Sequence, residues 1–195
     1  MLIIFLTILL FSVRTGQNAK TLYKELEFHM NNPTEGVRFA IDGDDLSSWY
    51  FVFTGEKGTV YEGGQYFGKL SNYYPPENKF AVQMYTPSGR FKTGQNICIE
   101  NTKIYQIETY GKRWNAASII VGIKQIMKED GNEGSVHIQS TNIKRKELAK
   151  ASSNWNRRDS LYNTIFPVDP FPAIDTKTKS FFKKLFRIEN RVDRK

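Results

Sequence analysis

One cysteine and two histidines are all that this 195-residue chain holds of the side chains that most often serve as nucleophiles, general bases or metal ligands. Cys98, being alone, cannot close an internal disulfide, which excludes a disulfide-framework protein and agrees with a reducing compartment. His29 and His137 show no metal-ligand spacing, so no metal site is expected. No Asn-x-Ser/Thr acceptor is present, because Asn32-Pro33-Thr34 has proline in its middle position. Gly-x-Ser-x-Gly, Walker, Gly-x-Gly-x-x-Gly and His-Glu-x-x-His patterns are missing too, which removes the common hydrolase, nucleotide-binding and metalloprotease templates. No apolar run inside the chain reaches membrane-spanning length, and a mean hydropathy of -0.50 excludes a polytopic membrane protein.

What is present is sufficient for one domain with tails: 39% hydrophobic, 14% aromatic and 25% charged residues, enough apolar material for a core. The net charge of +8 is unevenly placed. Residues 144–195 hold 14 Lys and Arg against 6 Asp and Glu, and the first 143 residues hold 14 of each. A nucleic-acid-binding domain spreads cations over its folded surface. Here the basicity reads as a property of the tail, and nucleic acid is not expected among the partners.

Residues 2–13 are apolar without interruption and are followed by Arg14 and Lys20. That is the length of a signal-peptide core and short for a membrane span, so two readings stand: a cleaved signal, or an uncleaved anchor whose positive flank leaves the domain in the cytosol. A helix is expected from about Asn18 to Asn31, with Leu22, Leu26, Met30 and Tyr23 as its stripe and His29 on its surface. Asn31-Asn32-Pro33 ends it. The period then changes to two, in four expected strands around Val37 to Ile41, Trp49 to Phe53, Tyr66 to Leu70 and Ala81 to Tyr85, joined by turn-rich linkers as an antiparallel meander.

From residue 87 to Asn115 periodicity is weak, and a long ordered loop of this kind is usually functional. Asn115 reads as the cap of an apolar, central helix through Ile119, Ile120, Ile123, Ile126 and Met127. Further helices are expected from Asn142 to Trp155 and from a cap at Asp159 to Ile165. The order implies an α+β fold with helices segregated from the meander. Residues 179–191 set Phe182, Leu185, Phe186 and Ile188 among Lys183, Lys184, Arg187 and Arg191, a basic amphipathic helix that rests either on an anionic membrane surface or on its own domain. The division is therefore a hydrophobic segment at 1–16, a core domain at 17–168 and a basic tail at 169–195.

Several phrases, taken in order, carry a resemblance. Tyr61-Glu62-Gly63-Gly64-Gln65-Tyr66-Phe67-Gly68, Tyr74-Pro75, Thr86-Pro87-Ser88-Gly89-Arg90-Phe91 and Asn96-Ile97-Cys98 are similar to segments of the ubiquitin-conjugating enzymes. More narrowly they resemble the endoplasmic-reticulum branch, tail-anchored enzymes of protein quality control with a Thr-x-Asn-Gly-Arg-Phe phrase before the cysteine. The match continues through Trp114, the helix at 116–127, Glu147 to Ser152 and Phe166-Pro167.

The resemblance implies the ubiquitin-conjugating fold, with Cys98 as the nucleophile that carries ubiquitin as a thioester. It implies ubiquitin, a ubiquitin-activating enzyme and a ubiquitin ligase as partners, with ATP used by the activating enzyme and no cofactor held here. It also implies an endoplasmic reticulum membrane location with the domain facing the cytosol, or a secretory or plastid-associated compartment if residues 1–16 are a cleaved signal. Ser88 stands at the family's asparagine position, ten residues before the cysteine, which supports the oxyanion or the loop. That departure keeps a second expectation open: a catalytically weak adaptor that binds ubiquitin or a ligase without forming the thioester.

Overall fold

The computed structural model describes residues 19–41, 45–74, 79–97, 115–128 and 137–171. Its centre is a five-stranded antiparallel sheet whose spatial order is the chain order, the expected meander: β1 (Val37–Ile41), β2 (Trp49–Thr54), β3 (Gln65–Tyr74), β4 (Lys79–Met84) and β5 (Asn96–Ile97). Helix α1, residues 19–31, precedes it; α2 (Ala116–Lys128), α3 (Asn142–Arg158) and α4 (Ser160–Ile165) come after.

β2 shows why the sheet sits where it does. Alternate side chains point to opposite faces of a strand, and here both faces are buried. Trp49, Phe51 and Phe53 enter the main core with Tyr66, Leu70, Val82 and Met84, which α2 covers. Tyr50 and Val52 enter a second cluster with Phe67 of β3 and Tyr162 of α4, closed over by Leu161, Ile165, Phe166 and Phe171. Phe51 lies across from Gly68, and a methyl group at Gly68 would meet both that ring and the Gln83 carbonyl, so glycine is required there.

α2 is the central helix that its apolar spacing foretells, burying Ile119, Ile120, Ile123, Ile126 and Met127. Each such side chain contributes on the order of 1.5–3 kcal/mol. Asn115 caps it as expected: its Oδ1 accepts the Ser118 N–H at 2.8 Å, while Ser118 Oγ accepts the Asn115 N–H at 3.0 Å. Asp159 likewise caps α4, accepting the Tyr162 N–H at 3.0 Å.

Several details differ from the expectations above. The α1 stripe is rotated: Leu22 and Leu26 are buried, but Tyr23 is 59% and Met30 46% exposed, and His29 is 6% exposed rather than a surface residue. His29 takes the third inward position because its flat ring fits between Phe39 and Trp49, 5.2 and 6.3 Å away centroid to centroid. The sheet has a fifth strand where a loop was expected, since β5 is two residues long and is defined by pairing with β4 rather than by periodicity. α3 runs three residues past Trp155 to Arg158. The basicity is also not confined to a tail, because α3 alone has six Lys and Arg against one Glu. The expected segments at 1–16 and 179–191 lie outside the described residues.

Candidate active site

The chain between β4 and β5 leads to Cys98, and three separate devices hold it. The first fixes its start. Tyr85 and Thr86 donate their N–H groups to the Phe67 carbonyl at 2.8 and 3.2 Å. Thr86 Oγ1 accepts the Phe67 N–H at 2.8 Å and donates to Asn156 Oδ1 at 2.6 Å, and Asn156 Nδ2 donates to the Gln65 carbonyl at 3.0 Å. One helical turn earlier Ser152 Oγ accepts the Gln65 N–H at 2.8 Å and donates to the Ala149 carbonyl at 2.6 Å. Thr86, Ser152 and Asn156 are buried, so α3 is joined to β3 and to the start of the loop by polar groups that satisfy one another away from water.

The second device is Ser88, which is 0% exposed. Its Oγ accepts the N–H groups of Arg90 at 3.1 Å and Phe91 at 3.4 Å, closing a serine turn of the kind that pre-forms a tight bend. Gly89 turns the chain with φ 71°, and any side chain there would also meet Ser140 Oγ, which donates to the Gly89 carbonyl at 2.7 Å. Arg90 is turned inward: its Nε donates to the Ile126 carbonyl at 3.3 Å, placing a cation at the C-terminal turn of α2, where it favours the helix dipole. The Arg90 carbonyl accepts the Ile138 N–H at 2.9 Å, and Phe91 forms a bridge with His137. Burial, then the charge of Arg90, hold His137 below the ordinary histidine pKa.

The third device fixes the end. Gly94, at φ 71°, donates its N–H to the Met84 carbonyl at 2.8 Å and brings the chain back along β4. Val82 then pairs with Ile97 and Gln83 with Asn96. On the exposed side Tyr85 Oη donates to Gln83 Oε1 at 3.2 Å, and Gln83 Nε2 donates to Asn96 Oδ1 at 2.8 Å. Burial raises the Tyr85 pKa, so the phenol keeps its donor proton.

Ser88 is therefore a buried turn residue at the head of the loop. Cys98 lies outside the described residues, as do Glu100 and Glu108, the acidic residues after it that could orient an incoming amine. Among the described residues no group of three His, Cys, Asp or Glu is gathered that could hold a metal ion. Sequence patterns alone did not single out Thr86, Arg90, Ser152 and Asn156. The one signal for the last two was polar side chains at positions 152 and 156 in register with Ala149, a polar pair on what is otherwise the inner face of α3.

Comparison with known proteins fits this architecture. The family model described as "Ubiquitin-conjugating enzyme" matches residues 21–159, from α1 to the cap of α4. "Ubiquitin-conjugating enzyme E2 6" of Eremothecium gossypii is 33% identical over 153 residues, covering 77% of this chain and 62% of the relative, so the chain spans about three fifths of that protein's length. "Ubiquitin-conjugating enzyme E2 J2-like" of Dictyostelium discoideum is 30% identical over 147 residues, covering 75% of this chain and 85% of the relative. The structure of human ubiquitin-conjugating enzyme E2 G1 aligns with 58% of this chain and 96% of its own at 20% identity and a TM-score of 0.46. Matched by the family model over most of its length and by relatives at this identity, the chain belongs to the ubiquitin-conjugating enzyme family.

Proposed function

We propose that the protein accepts ubiquitin from a ubiquitin-activating enzyme as a thioester on Cys98 and passes it to substrate lysines presented by a ubiquitin ligase. The Cys98 thiolate attacks the carbonyl carbon of the incoming thioester and the activating enzyme's thiolate leaves. A deprotonated lysine amine then attacks the Cys98 thioester, an amide bond forms, and the Cys98 thiolate leaves in turn. A thiol suits both steps, being nucleophilic near neutral pH and a good leaving group. ATP is spent on the activating enzyme, and no cofactor is called for here.

The observation that carries this reading is the double constraint on the approach to Cys98. The loop begins on a buried turn at Ser88 and ends with Ile97 paired into the sheet, one residue before the cysteine. A chain fixed up to the residue before a nucleophile leaves that residue fewer conformations to search, which is how a scaffold lowers the entropic part of a barrier.

The narrower placement is a role in protein quality control at the endoplasmic reticulum membrane, with the core domain at 17–168 facing the cytosol. The likeness of residues 86–91 to that branch supports it. No helix among the described residues is long and apolar enough to cross a membrane. One observation favours the adaptor as a second reading: Ser88 is buried within its turn, and its side chain is shorter than the asparagine it replaces.

A charging experiment separates the two. The full chain is incubated with activating enzyme, ATP and ubiquitin, then run on non-reducing and reducing gels. A thiol-sensitive band one ubiquitin heavier, absent in Cys98→Ala, is the expected result. Its absence from folded protein, with a control enzyme charged in the same mixture, would leave the adaptor.

A further inference from the structure

Part of the chain's positive charge has a definite address in the fold. α3 contributes six Lys and Arg against one Glu, a net +5. Of these cations only Arg145 is buried, its guanidinium 5.9 Å from the Tyr61 ring. Lys144, Lys146, Lys150, Arg157 and Arg158 are exposed. At 3.6 residues per turn, Lys146, Lys150 and Arg157 fall within one narrow line, roughly 16 Å long, along the helix.

Arg145, Ala149, Ser152 and Asn156 make up the inner side, which is fastened to β3, and this line lies roughly a third of a turn round from them, along one edge of the exposed arc. Nearby carboxylates do little to neutralise it. Glu147, on the exposed arc three residues before Lys150, pairs with Lys144 at 3.3 Å, and Asp169 stands 3.9 Å from Arg157, both exposed pairs of the weak kind. Lys146 and Lys150, one turn apart, have no ion pair among the described residues and repel each other. Two apolar side chains share the exposed arc: Ile143 near its start and, at its margin, Trp155, which is 37% exposed.

We propose that the outward face of α3 is a docking surface for an anionic lipid membrane. A row of cations whose mutual repulsion a negative plane relieves, bordered by an exposed isoleucine, has the composition of a helix resting at a headgroup layer. A groove for single-stranded nucleic acid would set several stacking aromatics among the cations, and α3 offers one at its edge. The chain after Phe171 has eight more Lys and Arg against three Asp and Glu, so the C-terminal residues add charge of the same sign. Docked this way, the conjugating domain is held at the bilayer in one orientation rather than tethered loosely. The inference goes beyond ubiquitin transfer, and its readout uses neither ubiquitin nor activating enzyme, so its failure leaves the transfer reading untouched.

The test is co-sedimentation of the full chain with phosphatidylcholine vesicles containing roughly a third phosphatidylserine, and with pure phosphatidylcholine. Whatever residues 1–16 contribute to both, binding is expected to be stronger to the first, and that excess is expected to weaken as salt is raised. The triple variant Lys146→Gln, Lys150→Gln, Arg157→Gln should lower partitioning at least about tenfold, from three cations near a charged surface. A control that removes the same charge elsewhere, Lys20→Gln, Lys24→Gln, Lys57→Gln, should change it less than about twofold. Equal losses in the two triple variants would overturn the proposal, since net charge alone would then suffice. No loss in the α3 variant would overturn it in favour of the residues beyond 171. Binding to duplex RNA with the same α3 dependence, and none to vesicles, would replace the membrane with a nucleic acid.

Discussion

Glu25 of α1 accepts the backbone N–H of Ala116 at 2.8 Å, so the first helix closes the open end of the helix that fills the core. The first N–H groups of a helix have no partner within it, and a carboxylate there also meets the positive end of the helix dipole. Glu25→Ala should therefore lower stability by about 1 kcal/mol, read as a fall in melting temperature of about 2–4 °C. Glu25→Gln, which keeps an acceptor and loses the charge, should fall between.

Thr86 and Asn156 are buried and link to the Gln65 carbonyl, and removing one of them strands the other. Asn156→Ala should cost about 2–3 kcal/mol, and Thr86→Val a comparable amount. In a double-mutant cycle by denaturant unfolding the two should be non-additive by more than about 0.5 kcal/mol, because the second change removes a group that the first has already orphaned. Strict additivity would show that the hydrogen bonds are not coupled.

Ser88→Ala leaves the Arg90 and Phe91 N–H groups without their acceptor in a buried turn, at about 1–3 kcal/mol. If the hydroxyl acts through the turn, transfer from a charged Cys98 should slow less than about tenfold. Loss of a direct oxyanion donor would slow it by about 10² to 10³. Single-turnover discharge to free lysine distinguishes them, and the smaller effect is expected.

His137 adds a pH dependence whose sign is fixed. Its folded pKa lies below the ordinary histidine value, so the unfolded chain binds the proton more readily. Its contribution is fully present above the unfolded pKa, about 6.5, and is lost as pH falls through the folded value. The stability difference between neutral and mildly acidic buffer should therefore shrink in His137→Gln, in urea melts at the two pH values.

The parts of this fold that were legible in the sequence are those where one local signal decides. α2 was readable because its isoleucines repeat at helical spacing behind a side chain suited to capping, and β2 because its aromatic residues alternate on two buried faces. β5 was not, since two residues hold no period and their pairing depends on β4. The inner face of α1 was misassigned because a histidine was weighed as polar, although the rings of Phe39 and Trp49 receive it. Of the candidate site, Ser88 was located from its place in a phrase, but not its burial in a turn. The Thr86 to Asn156 contact was invisible because its partners lie 70 residues apart and share no pattern.

That separation bears on how the molecule assembles. Neighbouring strands of the meander meet across short connections, whereas Asn156 reaches Gln65 over 91 residues, and closing so long a loop adds an entropic cost before any contact is gained. During synthesis the sheet can form first, with Tyr50, Val52 and Phe67 open to solvent until α4 has emerged. Pulse-labelled hydrogen exchange should find the strand amides protected before those of α3, and a nascent chain stalled before residue 156 should be the species most in need of a chaperone.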